Sequence, residues 1–244
     1  AKLYMFDASS AVYTCPLAMT DGAARLMQLQ LRNNASQLSK EDAELYKQAF
    51  EHLTSTDPDQ FWTSGQWMTE KTGGSDVRNT ETIAVPMDDG TYRLHGFKWF
   101  TSATDSQMTL ALAKIKGSNS LSLFFVRIRD ENGKLNGIKI HKLKDKLGTK
   151  ALPTAELSLK DTKARLVGQP GKGVQTISCM LNITRLYNSI CACSEMRRSI
   201  AIIQDYSKKR MVQGKPLSEN ILYRHTQAKM VAEAAGCLHL TMDV

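Results

Sequence analysis

The sequence predicts an α+β fold made of a helical N-terminal part, a central antiparallel β-barrel or sandwich, and a C-terminal helical bundle. Three observations predict it. Apolar residues recur at helical spacing near the start, short strand-like segments separated by turns fill the middle, and a long segment without Gly or Pro follows. We place the boundaries of the three parts at residues 1–62, 63–170 and 171–244.

The N-terminal part contains two helical patterns. Apolar residues recur every three or four positions in "DGAARLMQLQLRN", residues 21–33. The next pattern, "SKEDAELYKQAFEHLT", opens with Ser39 and Asp42 at the Ser-x-x-Asp spacing that is typical of a capped helix N-terminus. The stretch "TSTDPDQ", residues 54–60, then predicts a loop before the sheet begins.

The middle part consists of short strand-like segments. In "ETIAVPMDDGTYRLHG", residues 81–96, two such segments meet at an Asp-Asp-Gly turn of the kind found in β-hairpins. Short strands at this spacing favour a small antiparallel barrel or sandwich. Four further segments alternate or run apolar over strand lengths: "MTLALAKI" at 108–115, "SLSLFFVRI" at 120–128, "NGIKIHKL" at 136–143 and "AELSLKDT" at 155–162.

The C-terminal part is predicted to be two helices. Residues 174–213 contain neither Gly nor Pro and carry apolar residues at mostly helical spacing. The turn "QGKPL" interrupts them, and a second helix is predicted to begin near Asn220. The last residues, "AKMVAEAAGCLHLTMDV", end within an apolar helical pattern, and such helices normally pack in bundles. We therefore expect the bundle to be incomplete here and the chain to be part of a longer protein that continues beyond Val244.

The overall charge points to anionic partners without identifying one. The chain has 244 residues, of which 42% are hydrophobic and 23% charged, as is ordinary for a globular protein. Its net charge of +8 suits phosphates, coenzyme A or nucleic acid. A merely basic surface explains the same number equally well.

The composition also bears on the compartment. No apolar run approaches the roughly 18 residues that a membrane span needs, and the first residues lack the pattern of a signal peptide. An odd number of cysteines without zinc-type spacing predicts reduced thiols in an intracellular, reducing compartment. The cytoplasm is favoured, and the mitochondrion and the peroxisome stay open as alternatives. No metal site is expected. The five cysteines are Cys15, Cys179, Cys191, Cys193 and Cys237.

The stretch "QWMTEKTGGSDVRNTE", residues 66–81, places small hydrogen-bonding residues directly after the bulky Trp67 and Met68. The simplest explanation is a strand that ends in a turn. The alternative is that a flat ligand lies against the backbone here, with its polar edge facing Thr69 and Ser75. Gly73 and Gly74 would permit the close approach that a Cβ would obstruct.

Three motifs in one order resemble the acyl-CoA dehydrogenase superfamily. The family signature apolar-Thr-Glu-Pro-x-x-Gly-Ser-Asp corresponds to "MTEKTGGSD", in which Lys71 stands where most relatives have proline. A strand followed by Gly-x-Lys and an aromatic-rich turn corresponds to "YRLHGFKWFTSATD", and an arginine before a Gly-Lys-Pro-Leu turn corresponds to "KKRMVQGKPL". The stretches "LYMFDASSAVYTCPLAMT", "KDKLGTKALPTAELSL" and "YRHTQAKM" are similar to the AidB-like branch, including its eukaryotic acyl-CoA dehydrogenase-like members.

The resemblance implies a helix–barrel–helix architecture that holds FAD against the barrel. The backbone and hydroxyl groups of the first motif are then expected to bond the pyrimidine edge of the flavin, with Gly74 allowing close approach and Ser75 reaching the phosphate or ribityl side. The flavin-flanking residues implied by this motif are Gln66, Trp67, Met68 and Thr69.

The second motif supplies the next flavin contacts, Phe100, Thr101 and Ser102. An alignment without a gap places Phe100 where relatives usually have tryptophan, whereas a gap would choose Trp99 instead. Ser102 is implied to hydrogen-bond the reactive edge of the flavin, and the aromatic ring to shield its face. A pair of core aromatics is the competing explanation.

The third motif implies an assembly. In relatives the arginine equivalent to Arg210 crosses a dimer interface to the FAD pyrophosphate of the neighbouring subunit, a contact for which a planar guanidinium is suited. The resemblance therefore implies a homodimer or homotetramer. A solvated run of Lys208, Lys209 and Arg210 is the alternative.

Substrate contacts are implied at Ser75, Asn182 and Arg185. Arg185, in "LNITRL", matches an Asp-x-x-Arg element that relatives use around acyl-CoA, but Asn182 replaces the aspartate. Helical spacing places Asn182 and Arg185 on one face. A buried or surface-paired arginine is an equally good explanation.

The reaction implied is FAD-dependent α,β-dehydrogenation of a medium- or long-chain fatty acyl-CoA. The family's catalytic base is a glutamate on a late helix, so we expect it beyond Val244 and assign no catalytic residue. Two alternatives stay open: an AidB-like flavoprotein that binds DNA in an alkylation response, and a protein that binds fatty acyl chains without turnover.

Overall fold

The structure is a computed structural model that describes residues 1–33 and 38–243. The chain divides into two compact units, one formed by Cys15–Thr184 and the other by Ala1–Thr14 together with Arg185–Val244. The α-helices of the described residues are α1 (Lys2–Phe6), α2 (Thr14–Asn33), α3 (Lys40–Leu53), α4 (Gly173–Lys209) and α5 (Ile221–Met242).

Among the described residues, seven strands form one sheet in the Cys15–Thr184 unit, and two short strands pair in the other unit. The seven are β1 (Ser64–Trp67), β2 (Ile83–Pro86), β3 (Tyr92–Ser102), β4 (Met108–Ile115), β5 (Leu121–Arg127), β6 (Ile138–Leu143) and β7 (Thr154–Val167). The short pair is β8 (Met211–Val212) and β9 (Lys215–Pro216).

The sheet closes into a five-stranded barrel. Going around it, β4, β2, β3, β7 and β5 are neighbours, and the pairing of β4 with β5 closes the ring. β1 adds to the edge of β4, and β6 adds to β7. Closure leaves few free strand edges and encloses an apolar core. Core residues include Trp67, Leu94, Phe124, Val126 and Leu157, which are at most 1% exposed.

The direction of two strands differs from the purely antiparallel sheet that the sequence predicts. β1 and β2 both run parallel to β4, whereas the other pairs are antiparallel. The reason is topological: β2 and β3 form the predicted hairpin, and the chain then returns so that β4 lies beside β2 instead of beside β3. The resulting sheet is mixed.

The helices of the Cys15–Thr184 unit pack against the barrel as their apolar spacing requires. The Ser39 side chain caps α3 by accepting a hydrogen bond from the N–H of Asp42 at 3.0 Å, which confirms the predicted start. Helical spacing places Tyr46, Ala49 and Leu53 on one buried face of α3. The Tyr46 hydroxyl donates to the carbonyl of Leu166 at 2.8 Å and so ties α3 to β7.

In the other unit, a tight hairpin separates the two long helices. Gln213 and Gly214 both have positive φ, +50° and +78°, as the turn of a two-residue hairpin requires, and they join β8 to β9. Asn220 then caps α5 by accepting from the N–H of Tyr223. Within the described residues α5 buries none of its side chains, and Leu222 is 80% exposed. Apolar residues of the last helix are therefore exposed in the part of the chain that the structure describes.

We expect Gly96→Ala to lower the free energy of unfolding by about 1–3 kcal/mol, the usual range for overpacking. A Cβ at Gly96 on β3 would lie within clash distance of the Thr82 side chain and 2.7 Å from the Cα of Thr82, so strand backbone would have to move. Urea unfolding followed by circular dichroism measures the change.

Gly236→Ala is the matched control for this substitution. Gly236 lies within α5, and apart from its chain neighbours and the backbone of its own helix no atom of the described residues would come within 4 Å of its Cβ. The control is therefore expected to raise the free energy of unfolding by about 0.5–1 kcal/mol, because alanine favours helix more than glycine does. Equal stability of the two variants would contradict the steric argument.

Candidate functional site

The glycine-rich motif lies in a loop that leaves the sheet and returns to the same strand. β1 pairs with Met108–Ala111 of β4, and β2 pairs with Lys114 and Ile115 farther along the same edge. Residues 68–82, called the motif loop from here on, connect β1 to β2. The barrel edge therefore stays in place while the loop projects from it.

A buried ion pair lies at the base of the motif loop. The Lys98 Nζ of β3 donates to Glu70 Oε1 at 2.7 Å, and the two side chains are 0% and 3% exposed. Charges taken out of water at this depth are tolerated only when they are paired and hydrogen-bonded. Removing one partner alone leaves an uncompensated buried charge, which costs about 3–5 kcal/mol.

Glu70 and Lys98 each make further hydrogen bonds. Glu70 Oε2 accepts from the N–H of Glu81 at 2.6 Å, and Oε1 also accepts from the Thr82 hydroxyl. Lys98 donates a second hydrogen bond to the carbonyl of Leu112 at 2.8 Å. Leu112 lies on β4 between the residues that pair with β1 and those that pair with β2. The ammonium thus occupies the gap in the ladder, and the Glu70 carboxylate joins the two ends of the motif loop.

Burial and pairing act in opposite directions on the pKa values of these groups. Burial alone would raise the pKa of Glu70, but the charge of Lys98 and the hydrogen bonds from Lys98, Thr82 and Glu81 outweigh it. The pKa of Glu70 therefore lies below its ordinary value. Burial lowers the pKa of Lys98, and the Glu70 carboxylate opposes that change.

Within the motif loop, two glycines shape the backbone beside Thr69. Glu70 and Gly73 exchange backbone hydrogen bonds of 3.2 Å in a tight antiparallel bridge, and Gly73 has a φ of +155°. A Cβ on Gly74 would lie 3.0 Å from Cγ2 and 3.1 Å from Oγ1 of Thr69. Because Gly74 has no side chain, the Thr69 side chain can occupy this position without a clash.

The residues before Thr69 alternate between the barrel interior and its outer side. Gln66 and Met68 are half-buried, whereas Trp67 is fully buried in the barrel core. The Trp67 Nε1 donates to the carbonyl of Ser102 at 3.2 Å, so the indole links β1 to the end of β3. Only the main chain of Trp67 is left to contact a ligand, while Gln66, Met68 and Thr69 can offer side chains.

The end of β3 breaks the regular alternation of a strand. The register with β7 shifts between Lys98 and Thr101, the signature of a β-bulge. As a result Trp99 and Phe100, two successive residues, are both exposed, by 36% and 41%, while Thr101 is buried and donates to the carbonyl of Ala155. Ser102 is half-buried, and its Oγ lies 3.0 Å from Thr154 Oγ1.

The two exposed aromatics differ in what covers them. Lys144 Nζ lies 3.1 Å from the centroid of the Trp99 ring and is itself paired with Glu156 at 2.7 Å, and Lys71 Nζ lies 5.4 Å from the same centroid. Cations at such distances are attracted to the ring face. The Trp99 ring therefore already has partners, which favours Phe100 as the aromatic residue available to a ligand.

The remaining predicted residues are exposed. Ser75 lies on the motif loop, and Asn182 and Arg185 lie three residues apart on α4. Arg210 directly follows α4; its N–H donates to the carbonyl of Tyr206, and its own carbonyl accepts from Leu217. Its backbone is thus fixed at the base of the β8–β9 hairpin. Arg185 and Arg210 belong to the unit that includes α5.

Sequence reasoning missed the importance of Glu70 and Lys98. Glu70 lies within the first motif and Lys98 within the second, but the motifs alone do not predict that the two side chains form a buried pair. A signal was available: Lys98 interrupts the β3 strand at a position that points into the barrel, and a buried lysine requires a nearby carboxylate.

The arrangement fits a flat aromatic group with a polar edge. The main chains of the two motifs are joined where the N–H of Trp99 donates to the carbonyl of Thr69 at 3.0 Å. This contact brings the half-buried Thr69 and Ser102 and the open ring of Phe100 to neighbouring strand ends. Hydroxyls can bond an edge rich in donors and acceptors, and an exposed ring can cover a face.

No helix among residues 1–33 and 38–243 has the length and apolar character needed to cross a membrane. No group of three or more His, Cys, Asp or Glu side chains in the same residues could hold a metal ion. All five cysteines lie in this part of the chain and are free.

Comparison with known families and proteins gives consistent matches. A family model for the acyl-CoA dehydrogenase middle domain matches residues 65–162, and one for the acyl-CoA dehydrogenase C-terminal domain matches residues 171–244. Acyl-CoA dehydrogenase family member 11 of Caenorhabditis elegans is 47% identical over 253 residues, which covers 100% of this chain and 40% of that protein. AidB of Escherichia coli (strain K12) is 37% identical over 172 residues, covering 70% of this chain and 31% of AidB.

A solved structure shows the same fold. The crystal structure of Caenorhabditis elegans ACDH-11 in complex with C11-CoA superposes with a TM-score of 0.90 at 47% identity, covering 98% of this chain and 41% of that chain. The chain thus spans less than half the length of these relatives.

We expect the free energy of unfolding to depend on pH through the Glu70–Lys98 pair. The ordinary pKa of a glutamate is 4.5, and that of folded Glu70 is lower. The carboxylate therefore stabilises the folded state fully above pH 4.5, and this contribution is lost as pH falls from 4.5 through the folded pKa. Free energies of unfolding at pH 7, 5, 4 and 3 measure it, with Glu70→Gln/Lys98→Met as the matched neutral variant.

The parent is expected to lose more stability below pH 4.5 than the neutral double variant does. The two curves share every other titrating group, so their difference isolates the pair. Parallel curves over this range would show that Glu70 has an ordinary pKa.

Proposed function

Since the chain belongs to the acyl-CoA dehydrogenase family, we propose that it is part of a flavoprotein that binds FAD at the motif loop and dehydrogenates fatty acyl-CoA at the α,β-carbons. The family as a whole is a class of oxidoreductases. The proposed substrates are medium- or long-chain acyl-CoAs. Their chemical class is supported by the 47% identical ACDH-11, which was solved in complex with C11-CoA.

The observation that carries the proposal is the meeting of the two motifs. The hydrogen bond from Trp99 N–H to the Thr69 carbonyl joins them, and Trp67 links β1 to Ser102 in the same region. Residues 30 positions apart in the sequence thus present hydroxyls and one open aromatic ring together. The polar edge and flat face of an isoalloxazine ring match such a surface.

We propose different roles for the residues that would hold FAD. The Thr69 and Ser102 hydroxyls and the main chain of residues 66–69 orient the polar edge, and Phe100 covers a face. Ser75 and the space left by Gly74 accommodate the ribityl or phosphate side. When bound, FAD accepts the hydride that leaves the β-carbon of the acyl thioester. The remaining work of the chain is to exclude water and to fix orientation.

The other proposed contacts lie on the helices. Asn182 and Arg185 of α4, together with Ser75, are proposed to bind the acyl-CoA, and Arg210 to bind the FAD pyrophosphate of a neighbouring subunit in a homodimer or homotetramer. Both arginines are exposed to solvent. The α-proton acceptor is proposed to lie outside residues 1–244.

Residues 1–62, 63–170 and 171–244 are proposed as the helical, barrel and bundle parts of this protein. The protein is proposed to reside in an intracellular compartment.

An anaerobic titration tests the proposed activity. The full-length protein, purified with its flavin, is titrated with acyl-CoAs of 4 to 20 carbons while the flavin absorbance near 450 nm is followed. We expect bleaching by medium- or long-chain substrates and release of enoyl-CoA. The control is a thioether analogue of acyl-CoA, which lacks the thioester carbonyl and therefore cannot be dehydrogenated. It should bind without bleaching.

Each alternative predicts a different result, the first in this titration and the second in a DNA-binding measurement. Binding of acyl-CoA without any bleaching would replace dehydrogenation by acyl-chain binding. Affinity for duplex DNA that falls steeply with salt, without acyl-CoA binding, would favour the DNA-binding alternative that the +8 charge permits.

We expect Gly74→Val to yield folded protein that is poor in FAD. The Cβ alone would lie 3.0 Å from Thr69 Cγ2, and the branched side chain of valine would push Thr69 away from the ligand. A loss of at least tenfold in FAD affinity, measured by quenching of flavin fluorescence, is expected at an unchanged melting profile.

A second substitution tests the steric cause. Thr69→Ser keeps the hydroxyl and removes the methyl group that the new side chain meets, so Gly74→Val/Thr69→Ser should regain part of the affinity. Thr69→Ser alone is the control and should bind FAD nearly as the parent does. Full FAD content in folded Gly74→Val would remove the steric role of this glycine.

A further inference from the structure

We propose that the buried Glu70–Lys98 pair is a positioning device that sets the geometry of the flavin-binding surface and does not merely close the barrel. The proposal rests on the proposed FAD function. Neither side chain can touch a ligand, because they are 3% and 0% exposed. Any effect on a flavin must therefore pass through the residues that flank them, Thr69 on one side and Trp99 and Phe100 on the other.

The first argument is a double connection between the two motifs. Thr69 and Trp99 are joined through their main chains at 3.0 Å, and the next residue of one motif, Glu70, is joined to the preceding residue of the other, Lys98, at 2.7 Å. A single hydrogen bond permits rotation between two segments. Two links on adjacent residues fix both the distance and the angle, which is what a preorganised binding surface requires.

The second argument concerns the bulge. Lys98 is the last residue of β3 that points into the barrel before the register with β7 shifts. Because its ammonium is held by Glu70 and by the Leu112 carbonyl, the following two residues emerge together on the outer side. Phe100 is exposed by this step. The pair thus determines where the open ring lies relative to Thr69.

The third argument concerns the two ends of the motif loop. The same carboxylate that binds Lys98 accepts from the Glu81 N–H at 2.6 Å and from the Thr82 hydroxyl. The entry of the loop at Glu70 is therefore fixed to its exit at residues 81 and 82. The base of the loop is thus held in a single conformation, and this conformation sets the positions of Thr69, Gly74 and Ser75. Because a buried ion pair adds little net stability, the role that we assign to this one is the selection of a single loop arrangement.

The main test uses the neutral double variant Glu70→Gln/Lys98→Met in the full-length protein. It removes both charges at similar side-chain volume and leaves no unpaired buried charge. We expect a cooperative melt, a rise of at least tenfold in the dissociation constant for FAD, and loss of the vibrational fine structure in the spectrum of the bound flavin. A purely structural pair would change the melting temperature without changing the spectrum at saturating FAD.

A milder pair of variants decides the matter if the double variant fails to fold. Thr82→Val removes one hydroxyl donor to Glu70 at nearly constant shape and leaves the ion pair intact. It is expected to weaken FAD binding severalfold and to alter the flavin spectrum in the same direction. Thr82→Ser restores the donor and is expected to restore the affinity and spectrum of the parent.

The outcomes separate this inference from the proposed function. If the parent protein binds no FAD, the proposed function fails and the inference fails with it. If the parent binds FAD, and the folded double variant, or Thr82→Val where the double variant does not fold, keeps the affinity and spectrum of the parent, the inference alone is overturned. Tenfold weaker binding with altered fine structure in a folded variant supports the positioning role.

Discussion

The contact between the Lys98 ammonium and the Glu70 carboxylate is the constraint on which the rest of this unit depends. The edge of β4 is occupied by β1 and by β2, but not at Leu112, which lies between their partners. A main-chain carbonyl enclosed there requires a donor, and Lys98 provides it. A buried ammonium in turn requires an anion, and Glu70 is held ready by Glu81 and Thr82. Each group is tolerated only because the next one is present.

These linked requirements explain why buried and outward-facing residues alternate so closely. Trp67 points inward and fills the core, whereas its neighbours Gln66 and Met68 face outward. Lys98 points inward, and Phe100 emerges after the bulge. The surface available to a ligand is therefore the outer side of the same segments that complete the barrel. A change on the inner side alters both together.

The sequence predicts best those features that depend on neighbours along the chain. The Ser39 cap of α3 involves residues three apart, and the hairpin at residues 88–90 involves one tight turn, so both appear as local patterns. The pairing of Glu70 with Lys98 joins residues 28 positions apart, and the parallel direction of β1 beside β4 depends on the closed ring. Resemblance indicated which segments form the proposed site. It could not indicate that the Trp67 side chain is enclosed, because inward or outward orientation is decided by strand register.

The collinear arrangement of β1 and β2 has an evolutionary consequence. Because both lie on one edge of β4 and the chain between them is closed at its base, a change of loop length between residues 71 and 80 need not disturb either strand pairing. Lengthening such a closed segment is inexpensive, about 0.6 kcal/mol for each doubling of its length. A barrel of this design can acquire new loop sequences, and with them new ligand preferences, while its own stability is left almost untouched.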